Sequence, residues 1–271
     1  GGGSSGASWK WSLHYGNYDG EAFDSDPDGD PGYIRWDDSA SAVTISGNVY
    51  SDEGTTVSGA CNGTTQVVRL KIQGAGTYTS ACSSATGLYS IPGVAFNPGD
   101  TITVYLDNAT GTRRAANVSV DPVSSISNMH LYENRVIVRH EDTNPITIAQ
   151  MAQYDSDQDA DIPFNAVDAV TDTLTLVPNT KLIVFNNKTF APGGNVTIQS
   201  GGLANSFDGT LELYSGATFL GASNQSHSFG GSLLVGTGAT LSAASSTITM
   251  TATTTGKTIT LDVEPSDSIE N

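Results

Sequence analysis

The sequence predicts an all-β protein: an Ig-like β-sandwich followed by a β-solenoid-like (β-helix) region, with one short helix in the connector. Three observations carry this prediction. Charged residues make up 14% of the chain, against roughly 25% in ordinary globular proteins. Glycine alone contributes 30 residues, and the helix formers Glu and Lys give way to Ser and Thr. The apolar residues, 37% of the total, fall in short alternating runs with the period of a strand, and in the last third a motif recurs after 22 positions, from Leu211 to Leu233.

Residues 1–40 read as an N-terminal strand and an acidic loop. After a Gly/Ser lead, Trp9, Trp11, Leu13 and Tyr15 alternate with Ser8, Lys10, Ser12 and His14 in strict period two. Two readings stand side by side: a terminal strand paired within its own chain, or an assembly strand that completes a neighbour's open sheet with four large apolar groups on one face. The run Asp24, Asp26, Asp28, Asp30 follows.

Residues 41–121 read as the sandwich. Val43, Ile45 and Val49; Val67, Leu70 and Ile72; Tyr89 and Ile91; Ile102, Val104 and Leu106; and Val118 and Val120 form short alternating groups separated by Gly, Asn, Asp and Pro turns. The stretches SGNVYSDEG at 46–54, GLYSIPGV at 87–94 and PGDTITVYL at 98–106 resemble the modules called carboxypeptidase-regulatory or Cna-B-like in large bacterial surface proteins. The resemblance covers about 80 residues and implies fold and export more than any activity. Some such modules carry an internal isopeptide bond, for which Lys71 and Asn117 are the pair on offer here, but the sequence places no carboxylate to promote it. Cys61 and Cys82, 21 positions apart and alone in the chain, lack the CxxC spacing of a redox pair and read as a disulfide, which points to an oxidising compartment.

Residues 122–172 break the pattern and form the connector. Val136, Ile137 and Val138 read as a strand. A helix start follows, with Thr143 or Asn144 as cap, Pro145 in the first turn, and Ile148, Met151 and Ala152 at helical spacing. A second acidic run, Asp155, Asp157, Asp159 and Asp161, closes the segment.

Residues 173–271 carry the repeat. Leu211-Glu-Leu213 with Gly216-Ala-Thr-Phe219 recurs as Leu233-Leu-Val235 with Gly238-Ala-Thr-Leu241, and a weaker copy runs through Leu182, Val184, Thr189 and Phe190. Such steps suit a solenoid, in which each rung buries its apolar face only against the next. NNKTFAPGGNVTIQSG at 186–201, STITMTATTTGKTIT at 246–260, HLYENRVIVRH at 130–140 and DSDQDADIPF at 155–164 resemble segments of very large, repeat-rich secreted surface proteins of uncultured bacteria. That resemblance implies an extracellular, cell-surface location and no particular chemistry.

Alternate carboxylates in a turning loop converge favourably only around a hard cation, so the runs at 24–30 and 155–161 are candidate Ca²⁺ ligand sets; with Arg35 and Ala166 at the twelfth place, neither is an EF-hand. The chain carries 11 Lys and Arg against 28 Asp and Glu, a net charge of −17, which argues against nucleic acid as a partner. No apolar run reaches the ~20 residues of a membrane helix, so no membrane insertion is expected. His14, His130, His140 and His227 form no zinc motif, and no nucleophile elbow is present. The expectation is therefore not an enzyme but a structural or adhesive protein that polymerises with itself into a surface filament or layer. The alternative is a carbohydrate-binding or polysaccharide-cleaving module that contacts cell-surface glycans through Tyr214, Phe219 and Phe229, which as residues of the repeat read more often as core.

Overall fold

The structure, a computed structural model, describes residues 10–12, 35–37, 42–107, 113–154 and 159–263. The chain divides into two compact units, Gly1–Ser41 and Ala42–Asn271. In the first, strand β1 (Lys10–Ser12) pairs antiparallel with β2 (Arg35–Asp37), setting Trp11 opposite Trp36. Trp9, Leu13 and Tyr15 and the acidic run at 24–30 lie outside the described residues.

The second unit opens with β3 (Val43–Tyr50), β4 (Gln66–Ile72), β5 (Ala75–Ala81), β6 (Leu88–Val94), β7 (Thr101–Leu106), β8 (Ala115–Val120) and β9 (Leu131–Tyr132). They form two layers, β5-β4-β7-β8 and β6-β3-β9. Ile45, Val49, Leu70, Ile91, Val104 and Met129 fill the space between. The alternating runs marked every one of these strands except β5 and β9. Strand β5, AGTYTSA, has no apolar alternation to reveal it.

Beyond β9 come β10 (Arg135–His140) and, alone among the described residues, a helix, α1 (Ile148–Met151). The helix starts later than the Pro145 signal suggests, and its cap is Thr147 rather than Thr143 or Asn144. Ile146 exchanges backbone hydrogen bonds with Thr189 and Ala191, and Asn144 is held by Asp142 Oδ1. That keeps the chain extended through Pro145, and Thr147 with Gln150 then closes a reciprocal capping box.

The remaining strands are β11 (Phe164–Val167), β12 (Thr173–Leu176), β13 (Lys181–Val184), β14 (Thr189–Phe190), β15 (Asn195–Ile198), β16 (Leu211–Leu213), β17 (Thr218–Leu220), β18 (Ser226–Phe229), β19 (Leu233–Gly236), β20 (Thr240–Ser242), β21 (Thr247–Met250) and β22 (Ile259–Val263). They wind into a solenoid of three parallel ladders: β10-β13-β16-β19-β22, β12-β15-β18-β21 and β14-β17-β20. Strand β11 joins β12 antiparallel. The repeat read from the sequence is the register itself, with Leu182, Leu211 and Leu233 stacked in one column and Phe190, Phe219 and Leu241 in another. Rungs approach closely at Gly231, where a Cβ would lie 2.1 Å from the Asp208 carbonyl oxygen. On β22 the inward positions Ile259 and Leu261 are 61% and 68% exposed.

Sandwich and solenoid share one sheet. Strand β10 lies parallel to β8 on one side and to β13 on the other, so nine strands run in the order β22-β19-β16-β13-β10-β8-β7-β4-β5. Every residue of β8 is buried. Ala116, Val118 and Val120 face the solenoid core, while Ala115 faces the sandwich core. The same sheet thus closes one core and opens the next.

Candidate functional site

The alternation that turns Val136, Val138, Leu182, Val184, Leu211 and Leu213 inward turns Arg135, Ile137, Arg139, Lys181, Ile183 and Glu212 to the outer face of the long sheet. That face is covered near the joint. Ile137 and Ile183 are buried beneath Tyr132 and Tyr214, with Tyr50 and Phe185 alongside.

Within this cover lies a charge cluster. Lys181 Nζ stands 2.6 Å from Glu53 Oε1 and 2.5 Å from Glu212 Oε2, and Arg135 Nε stands 2.9 Å from the same Glu53 oxygen. The guanidinium of Arg135 lies 4.6 Å over the Phe207 ring, and its Nη1 donates to the Glu133 carbonyl at 2.7 Å. Glu133 accepts from buried Ser58 Oγ. Glu53 comes from the sandwich and its partners from the solenoid strands, so the cluster pins the two together.

Burial acts on both carboxyls, with opposite outcomes. It raises Glu53, yet Lys181 and Arg135 outweigh it and hold that group below the usual carboxylate range. It raises Glu212 too, and the Glu53 charge adds to this against the pull of Lys181, leaving Glu212 above its ordinary value. Two carboxyls pushed apart in this way are what glycoside cleavage requires. Here, however, the Lys181 ammonium occupies the space between them, and all three side chains are largely buried.

A second cluster lies further along β10. Arg139 makes a two-pronged pair with Glu141, at 2.6 and 3.2 Å. It also donates to Asn128 and stacks 4.6 Å over Phe185. Ser119 Oγ donates to the same Glu141 at 2.8 Å.

Asp208, a buried carboxylate on the rungs, organises a loop. It accepts from the Gly201 and Leu203 amides, Ser200 Oγ and the Asn179 amide at 2.7 to 3.2 Å. Burial raises its pKa, but these donors outweigh that and hold it below the usual range. Tyr214, Phe219 and Phe229 are 4%, 0% and 0% exposed: they pack inside and offer no platform to a sugar ring, which corrects that expectation.

Cys61 and Cys82 are joined as a disulfide. In the second acidic run Asp155 and Asp157 lie outside the described residues. Asp159 accepts from Tyr105 Oη and from the Asp161 amide, both at 3.0 Å. Among the described residues no group of three or more His, Cys, Asp or Glu is placed to hold a metal ion. Lys71 and Asn117 cannot join. Asn117 lies opposite Val104, on the face that lines the sandwich core, whereas Lys71 lies opposite Thr103 on the other face.

Of the histidines, His130, His140 and His227 lie among the described residues. His130 Nδ1 accepts from the Asn48 amide at 3.1 Å. His140 Nε2 accepts from the Thr189 amide at 2.9 Å while its Nδ1 donates to the Asp142 carbonyl. His227 is buried with no partner on either nitrogen.

Sequence reasoning passed over Glu53, Arg135 and Lys181. The available signal was RVIVRH, where cations alternate with valines inside a strand. No protein-family model, no curated protein and no solved structure matches the chain.

Proposed function

We propose that the chain is an extracellular structural protein, a stiff building block of a surface filament or layer whose copies join by β-strand addition. The observation that carries this reading is the nine-stranded sheet through which sandwich and solenoid share strands. A joint made of ladder hydrogen bonds and two buried faces resists bending, as a load-bearing module must. The polar clusters support the same reading, because their charges neutralise one another inside the protein and hold the sandwich to the rungs. The disulfide suits an oxidising, extracellular setting.

Strand addition is assigned to the N-terminal segment. An antiparallel strand pair as short as β1–β2 is marginal by itself in water and gains stability from further strands. A sheet edge of a neighbouring copy would supply them. The test is deletion of residues 1–16, followed by sedimentation and electron microscopy. Large assemblies from the full chain and monomers from the truncated one are expected. Equal assembly by both would overturn strand donation by this segment.

A further inference from the structure

Each solenoid rung turns its inward side chains into a continuous apolar core, and one of them is out of place. His227 on β18 stacks in register between Val196 and Ile248. It is fully buried, neither ring nitrogen has a hydrogen-bond partner, and the ring meets Phe219 edge-on at 5.0 Å. A buried imidazole normally has a partner for at least one nitrogen. Phe219, Val196 and Ile248, which stand against the ring, carry no side-chain hydrogen-bonding atom.

We propose that His227 makes the C-terminal rungs of the solenoid acid-labile, so that protonation of its ring opens β18 and β21 while the sandwich remains folded. Among the described residues, the strands stacked around the ring offer no charge to compensate a positive one. Strands β15, β17, β18 and β21 contain no charged residue. Across the core, β16 and β19 present Leu211, Leu213, Leu233 and Val235. The one acid on those two strands, Glu212, points to the outer face and is held by Lys181. Burial alone depresses the pKa of the ring below its ordinary 6.5.

Position makes the effect local. Ile248 and Met250 on the next strand are only partly buried, and Ile259 and Leu261 are mostly exposed. Few packed groups must separate to hydrate the ring, so a sub-global opening is accessible. As pH falls through 6.5 the open form takes up a proton that the closed form refuses. The opening constant then rises by up to about tenfold per pH unit.

Hydrogen exchange with mass readout, corrected for intrinsic rates, tests this between pH 7.5 and pH 5. Amides of 226–229 and 247–250 should accelerate toward the linkage limit in the wild type. In His227→Phe they should lose that acceleration, while amides of 43–50 behave alike in both proteins. Equal acid acceleration of the rung amides in the variant overturns the proposal. Should the variant not fold, the imidazole resonances of the wild type decide: titration of folded His227 at or above pH 6.5 overturns the proposal, and a ring that stays neutral until the rungs open supports it.

Discussion

Lys181 Nζ stands 2.5 Å from Glu212 Oε2, joining neighbouring strands of the long sheet, with both side chains almost wholly out of water. Removing one partner of a buried ion pair leaves an uncompensated charge, a larger effect than the pair's net contribution. Lys181→Met should therefore lower stability by about 3–5 kcal/mol. Lys181→Met with Glu212→Gln should recover much of that loss. Urea denaturation of the two variants checks this, and a single variant as stable as wild type would show that water already screens the cluster.

His130 gives the sandwich its own pH dependence. Burial, with the nearby Arg139 charge, pushes its pKa from 6.5 down to about 4, and the neutral ring accepts from the Asn48 amide. Above pH 6.5 both folded and unfolded chains carry it neutral, so it adds no slope. As pH falls from 6.5 toward 4 the unfolded chain binds the proton first, and stability drops by roughly 1.4 kcal/mol per pH unit. His130→Gln should flatten that portion of the profile, measured as denaturation midpoints at pH 7 and pH 5.

Much of the fold was legible because its burial is one-sided. Where one face is less covered the period-two pattern survives, as in VTISGNVY of β3, and the 22-residue step becomes the register that stacks Leu211 on Leu233. The joint was less legible because β8 and β10 are covered on both faces, and a strand's own pattern does not name the strands it pairs with. Nothing in RVIVRH indicates that Val136 pairs with both Ala116 and Leu182. The charge cluster was hidden for a related reason: Glu53 and Arg135 are 82 positions apart and meet only when the two β units share a sheet.

Calcium at the two acidic runs is a separate expectation. Asp159 is already held by Tyr105 Oη, so a cation at 155–161 would draw on the other carboxylates of that run. Metal-free full-length protein titrated with Ca²⁺ should release heat and gain melting temperature by about 1 mM, the range of extracellular calcium modules. No heat and no change in melting temperature would remove both sites.

The Cys61–Cys82 bridge closes a loop of 21 positions and ties the 58–65 turn to the residue that directly follows β5. On the chain-entropy model, opening a loop of that size lowers stability by about 3 kcal/mol. The effect should not stop at the sandwich. Ala116, Val118 and Val120 of β8 cover the first solenoid rung, so loss of the sandwich uncovers Val136 and Val138 and, through them, Leu182 and Val184. Non-reduced peptide mapping should recover the linked pair. Cys61→Ala with Cys82→Ala should shift one cooperative urea transition, followed by tyrosine fluorescence and far-UV circular dichroism together. Two separated transitions would mean that the shared sheet does not couple the halves, and the stiffness on which the structural reading depends would be lost with it.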